Sequence, residues 1–298
     1  MTVVSPQHPV RASTHNPPFV CKAGGVSSAL EFHDIALTIA RRAAALAVQR
    51  RRDGVEIAAS KSTLTDIVTS ADREVEGLIR DTLTAVRPHD GFFGEETGAQ
   101  TGTSGLTWVV DPIDGTVNYF YDIPAYAVSI AVVEGEPDPL TWSALAGAVV
   151  NPARNEVFSA AAGQGAWRNG NALTIGGPVE LPMALVGTGF GYDASVRVQQ
   201  ATLVTELIGQ VRDIRRIGSA ALDLCDVAAG RLDAFYERGL NPWDHAAGAL
   251  IAAEAGATIS VEASENPARQ LVIAAQPQLY SRLAPIVHGF YDSQKTQG

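Results

Sequence analysis

Asp111 and Asp114 stand three positions apart in the run Trp108-Val109-Val110-Asp111-Pro112-Ile113-Asp114-Gly115-Thr116. A strand-like apolar stretch carries both carboxylates into a turn, and a Gly-Thr step follows at once. Two anionic side chains at this spacing repel each other unless a cation sits between them. Hard divalent ions such as Mg²⁺ take oxygen ligands of this kind. Backbone N–H groups and the Thr116 hydroxyl would hold an anion beside such ions. The chemistry indicated is metal-assisted reaction at a phosphate.

Further acids fall near turns: Asp66, Glu95, Glu96, Asp233, Glu237 and Asp244. One isolated acid in such a place is ordinarily a solvated cap, and Glu96, Asp193 and Asp233 are read as surface acids or as residues one contact removed from the chemistry. Asp111 fits that reading poorly, because it follows Trp-Val-Val with no Arg or Lys close in sequence to pair with a buried charge. Gly187-Thr188-Gly189-Phe190-Gly191 has the look of a dinucleotide loop but lacks a well-placed helix and downstream acid, so it reads as a turn or a close backbone approach. No P-loop, nucleophile elbow or His-Glu-x-x-His pattern occurs, and the 6 histidines are scattered. His245 reads as a packed helix residue. A covalent nucleophile has no support here, which leaves direct attack by water.

The chain has 298 residues, 46% hydrophobic and 18% charged, with a formal net charge of −10. That length supports a large core, as one domain or two packed halves. The acidity argues against passive binding of nucleic acid, which needs a basic stripe. The one dense basic run, Arg50-Arg51-Arg52, ends a predicted helix, where cations suit the dipole. An acidic protein that handles an anionic substrate needs borrowed positive charge, and bound Mg²⁺ supplies it. Cys21 and Cys225 make neither a disulfide framework nor a zinc site. Cys225, in an apolar helical segment, reads as a buried free thiol, in keeping with a reducing, cytoplasmic setting. No apolar run reaches the length of a membrane span. Residues 1–26 hold no acid, several Pro and Gly and no apolar signal segment, and they read as a disordered tail, with a targeting peptide as the alternative.

The elements that must position these residues follow from periodicity. Ser28-Ala29-Leu30-Glu31 has the form of a capping box, with helical spacing from there to about Val48 and Gly54 as the stop. A polar loop covers Ser60–Asp66, and a second helix runs from about Thr69 to Val86. A strand is predicted at 107–110, and strands at 125–134, 142–150 and 156–162 are predicted as an antiparallel sheet. A helix near 197–209, a strand at 215–217, a helix at 219–229 and a strand at 232–236 follow. A helix starts at Asn241-Pro242-Trp243-Asp244 and ends near Gly256. Strands at 257–261 and 271–275 and a last helix complete the chain. Mixed runs without a regular βαβ period imply a layered α+β or mixed α/β sandwich.

Four motifs in order carry a resemblance: Thr65-Asp66-Ile67-Val68-Thr69-Ser70-Ala71-Asp72, Gly94-Glu95-Glu96, Asp111-Pro112-Ile113-Asp114-Gly115-Thr116 and Trp243-Asp244-His245-Ala246-Ala247-Gly248. Gly218-Ser219-Ala220-Ala221 and Asp233-Ala234-Phe235-Tyr236-Glu237 add to it. From about residue 30 to 290 the chain resembles the inositol monophosphatases, within the superfamily of lithium-sensitive, Mg²⁺-dependent phosphatases. The resemblance implies a layered αβαβα sandwich over residues 27–292, in two packed halves of roughly 27–180 and 181–292. It implies hydrolysis of myo-inositol monophosphate with two or three Mg²⁺ ions, in a homodimer. Glu95, Asp111 and the Ile113 carbonyl would bind the first ion. Asp111, Asp114 and Asp244 would bind the second, and Asp66 would act through water near a third. Glu95 and Thr116 would orient the attacking water. Gly115 and Thr116 would hold phosphate oxygens. Lys61 would face the site, while Glu237, Asp244 and the Gly218-Ser219-Ala220 turn would contact the ring hydroxyls. The same chemistry on fructose 1,6-bisphosphate, histidinol phosphate or a 3′-phosphoadenosine compound is the alternative substrate class. A bacterial protein-interaction factor in transcription or RNA processing is the alternative role.

Overall fold

Along β5 (Leu106–Asp114) and β6 (Ala127–Glu134) successive side chains alternate between two separate cores. Trp108, Val110, Ile130 and Val132 point to one, and Val109, Ala127, Ala131 and Val133 to the other. A sheet buried on both faces needs helices on both, and the chain supplies them. The computed structural model describes residues 26–55, 57–60, 67–264 and 269–295.

The first core is closed by α1 (Val26–Asp53) and α2 (Ser70–Val86). Ala36, Ile39, Ala40, Ala43 and Ala47 of α1 recur at helical spacing and are buried against the sheet. This helix is already formed at Val26, so Ser28–Glu31 lie inside it and do not cap it, contrary to the sequence reading. Arg50, Arg51 and Arg52 occupy its last turn, and Gly54, with φ of 108°, ends it. Two short strands, β1 (Ile57–Ser60) and β2 (Ile67–Thr69), pair antiparallel. Most of the predicted polar loop between them, with Lys61 and Asp66, lies outside the described residues.

The large sheet has eight strands. To β5 and β6 it adds β3 (Gly91–Gly94), β4 (Gly98–Gln100), β7 (Ser143–Asn151), β8 (Glu156–Ala161), β9 (Gly165–Arg168) and β10 (Asn171–Leu173). Their order is β10-β9-β8-β7-β6-β5-β3-β4, antiparallel except where β3 runs parallel to β5. A short helix, α3 (Thr116–Phe120), follows β5 directly.

Beyond the second core lie α5 (Ala220–Ala228) and α6 (Pro242–Glu254), then a five-stranded sheet. That sheet contains β11 (Leu185–Thr188), β12 (Asp213–Arg215), β13 (Ala234–Leu240), β14 (Thr258–Ala263) and β15 (Gln270–Ala275), ordered β12-β11-β13-β15-β14. Its outer face carries α4 (Ala194–Leu207) and α7 (Pro277–Lys295). The fold is therefore the five-layer αβαβα sandwich. Its central layer is tight because α6 is built from small residues. A β-carbon on Gly147 of β7 would lie 3.1 Å from Ala247, and one on Gly248 would lie 2.8 Å from Leu224. Among the described residues no helix is long and apolar enough to cross a membrane.

Candidate active site

The strand β5 does not stop before its acids, as predicted, but runs on to Asp114. Its pairing with β6 slips between Asp111 and Asp114, opposite Ser129 and Ala127, and this bulge re-aims the two carboxylates. Asp111 is buried and accepts the N–H of Ile113 at 3.0 Å. Asp114 reaches across to the second half of the chain. It accepts the Ser219 hydroxyl at 2.6 Å and the Ala221 N–H at 2.7 Å, both at the start of α5. One acid thus joins the large sheet to the N-terminus of α5, where negative charge is favoured.

Gly115 follows with φ of 93° and caps α3. A β-carbon there would meet the Ala125 carbonyl oxygen at 2.9 Å and that of Gly218 at 3.1 Å. Asn118, one turn on, donates to the carbonyls of Ala125 at 2.8 Å and Ile217 at 2.9 Å, which ties α3 to the Gly218 turn. The Thr116 hydroxyl stands 3.1 Å from the Ile113 carbonyl and 3.2 Å from Asp72 Oδ1, and donates to one or the other. Asp72 is itself fixed by the capping box of α2, accepting the Thr69 N–H at 2.8 Å and the Thr69 hydroxyl at 2.5 Å.

Asp244 forms the equivalent box on α6, accepting the Asn241 N–H at 2.7 Å. Glu237, on β13, projects into the space that Gly189 leaves: a β-carbon at Gly189 would overlap its carboxylate. The glycine-rich run around 187–191 is thus partly strand, ending β11, and partly a close approach, to a side chain instead of backbone. Glu95, Asp111, Asp114, Thr116, Glu237 and Asp244 all line one cleft, of about 660 Å³ open to solvent. Arg216 and Arg269 line it as well.

Charge in this cleft is badly matched. Burial, with the charge of Glu95 as a further cause, raises Asp114 to about 6 against the hydrogen bonds from Ser219 and Ala221. Behind Thr116, outside the cleft lining, burial lifts Asp72 to about 7, opposed by Thr69 and reinforced by Glu95 and Glu96. Asp244 is pushed well up by burial, then by Asp114 and Glu95. Glu237 is lifted to about 8 by burial, with Arg216 pulling the other way. Like charges raise one another here, and a cation relieves all of them at once. Among the described residues no three acid side chains stand close enough together to hold one ion as they are placed, so an ion that enters would have to draw them inward. The donors are all oxygen, which suits Mg²⁺ and not softer metals.

Of the residues singled out in the sequence, the cleft gathers Glu95, Asp111, Ile113, Asp114, Gly115, Thr116, Gly218, Ser219, Ala220, Glu237 and Asp244. Lys61 and Asp66 lie outside the described residues. The bland readings fare well. Asp193 caps α4, Asp233 accepts the Leu185 N–H at 2.7 Å, and His245 is fully buried with its pKa lowered by burial to about 4. Cys225 is a buried free thiol. Sequence reasoning missed Asp72, Asn118 and Arg216. Asp72 had a visible signal as the closing acid of a Thr-x-x-Asp cap, the third residue of α2; nothing in sequence brought it to Thr116.

A model of the inositol monophosphatase family matches residues 29–290. The chain belongs to that family. "Inositol-1-monophosphatase SuhB" of Mycobacterium tuberculosis (strain ATCC 25618 / H37Rv) is 47% identical over 260 residues, covering 84% of this chain and 88% of that protein. "Nus factor SuhB" of Escherichia coli (strain K12) is 40% identical over 233 residues, 76% of this chain and 84% of the relative. The solved structure of Mycobacterium tuberculosis SuhB superposes with a TM-score of 0.75 at 44% identity, covering 88% of this chain and 97% of that one. The inositol monophosphatase fold accounts for all five layers described above.

Proposed function

We propose that this protein is a Mg²⁺-dependent phosphomonoesterase that hydrolyses myo-inositol monophosphate to inositol and phosphate by direct attack of water. The observation that carries the reading is the sharing of one cleft by Glu95, Asp111, Asp114 and Asp244, by the Gly115-Thr116 helix start, and by Glu237. Glu95, Asp111 and the Ile113 carbonyl would hold one ion, and Asp111, Asp114 and Asp244 a second, with Asp66 near a third. Such ions, when bound, lower the pKa of a coordinated water and offset charge on the transferring phosphoryl group.

The chain's own groups supply orientation and proton handling. The Thr116 hydroxyl donates towards Asp72 or the Ile113 carbonyl, so its oxygen is left to accept a hydrogen bond from a water in the cleft. Glu95, which lines the same cleft, accepts the proton that this water gives up. The N–H groups of Gly115 and Thr116, at the start of α3, are donors for phosphate oxygens. Glu237, once ionised, accepts hydrogen bonds from two neighbouring ring hydroxyls and so favours a polyol. Retention of all these groups supports catalysis over a purely protein-binding role.

One observation favours a second substrate reading. Arg216 and Arg269 line the same cleft, and a second phosphate, as in fructose 1,6-bisphosphate, wants cations at the rim. A phosphate-release screen separates the two. With Mg²⁺ present, kcat/KM should be highest for inositol 1-phosphate among that ester, fructose 1,6-bisphosphate, histidinol phosphate and 3′-phosphoadenosine 5′-phosphate, with EDTA abolishing release. Fastest release from the bisphosphate would move the assignment to the second substrate. No release from any ester would refute the phosphatase reading.

A further inference from the structure

One helical turn beyond Asp72, on the same face of α2, stands Glu76. It is 0% exposed. Its Oε2 accepts the backbone N–H of Glu96 at 2.8 Å, and its Oε1 has no hydrogen-bond partner among the described residues. The carboxylate reaches that N–H through the space at Gly94, where a β-carbon would lie 2.7 Å from Glu76 Cδ and closer still to Oε2. On the other side of the same turn the Glu95 N–H is given to the Val110 carbonyl at 3.2 Å. The segment Gly94-Glu95-Glu96 is therefore pinned twice, by β5 immediately ahead of Asp111 and by α2 one turn after Asp72. Burying a carboxylate on one N–H is costly, and the turn it holds is the one that carries Glu95 to the cleft.

We propose that Glu76 is a positioning residue for Glu95. By holding the Glu96 N–H it sets the angle at which Glu95 enters the cleft, and so the fit of Glu95 to a divalent ion. One face of α2 then steadies both arms of the water-activating side, Thr116 through Asp72 and Glu95 through Glu76. This rests on the reading of Glu95 as an ion-binding and water-orienting group.

The role turns on an acceptor oxygen, which two substitutions of similar volume separate from packing. Glu76→Gln keeps the acceptor, and Glu76→Met fills the space without one. Calorimetric titration of the full chain with Mn²⁺ should give a Kd within about threefold of wild type for the Gln variant and roughly tenfold or more weaker for the Met variant. The KM for the ester at saturating ion should stay within about threefold in both. In the wild-type protein the Glu96 amide should exchange with solvent roughly 100-fold more slowly than in a free peptide, although it lies in a turn. Wild-type Mn²⁺ affinity in the Met variant, equal weakening in both variants, or rapid exchange at Glu96 would each overturn the proposal. The exchange measurement and the Gln variant still decide it if the Met variant does not fold. A wild-type protein that takes up no Mn²⁺ would defeat the phosphatase reading and this role together.

Discussion

Glu237 illustrates what a cleft can do to one carboxyl. Burial lifts it to about 8, Arg216 pulls it down, and Asp114 adds a like charge. A protonated carboxyl accepts poorly, so its ability to hold two ring hydroxyls should grow as pH rises through about 8. The KM for inositol 1-phosphate should accordingly fall across that range, and Glu237→Gln should flatten the profile. The same substitution should lower kcat/KM for the inositol ester by roughly tenfold or more, the worth of a hydrogen bond to a charged group, while hydrolysis of p-nitrophenyl phosphate changes little. Equal losses on both esters would remove the substrate-reading role. At this scale the sequence was informative where a residue's own surroundings betray it. Asp111 stood out because an acid after Trp-Val-Val has no local partner. Asp72 did not, because its visible job is to cap α2, and its second job depends on Thr116, 44 residues away. Arg216 gave no signal beside Arg215, since only the fold tells which of two adjacent cations faces the cleft.

The elements place the acids mainly through three backbone devices: the bulge in β5, the left-handed Gly115 and the capping boxes of α2 and α6. Gly115 is the most sensitive of these. Its φ of 93° strains any other residue, and a methyl group there would press on the Ala125 and Gly218 carbonyls. Gly115→Ala should cost about 2–4 kcal/mol, combining backbone strain with overpacking, and should reduce activity by displacing Thr116. Urea unfolding monitored by circular dichroism gives the stability change; a loss under about 1 kcal/mol with full turnover would contradict the argument. Helices were legible because their buried stripes are long: Ala36 to Ala47 announces α1, and Val75, Ile79 and Leu83 announce α2. Strands β4, β9 and β10 were not, because three or four residues, partly exposed, cannot display a period. The predicted strand at 215–217 is displaced two residues from β12, whose Asp213-Ile214-Arg215 has only one apolar side chain to mark it.

For the molecule as a whole, the cleft and Asp72 behind it couple proton uptake to folding. Asp114, Asp72 and Glu237 have folded-state values raised to about 6, about 7 and about 8, all above their ordinary ones. Between the ordinary and raised values the folded chain binds more protons than the unfolded chain, so stability falls as pH rises. His245 acts oppositely: lowered to about 4, it costs stability as pH falls below its ordinary value of 6.5 and contributes nothing above it. From pH 6.5 to about 8, then, Asp72 and Glu237 give the slope its sign, and Asp244 and Asp223, raised well above the ordinary carboxylate range by burial, act in the same direction. The Tm of EDTA-treated protein should decline over that interval, by roughly 2–4 °C for each kcal/mol lost in a domain of this size. Mg²⁺ replaces those protons, so adding it should raise Tm more at pH 8 than at pH 6.5. Scanning calorimetry at the two pH values, with EDTA and with excess Mg²⁺, tests both signs. A Tm that climbs with pH in EDTA would mean that the carboxylates do not crowd one another in the folded chain, and a Tm indifferent to Mg²⁺ at pH 8 would mean that no ion enters among them.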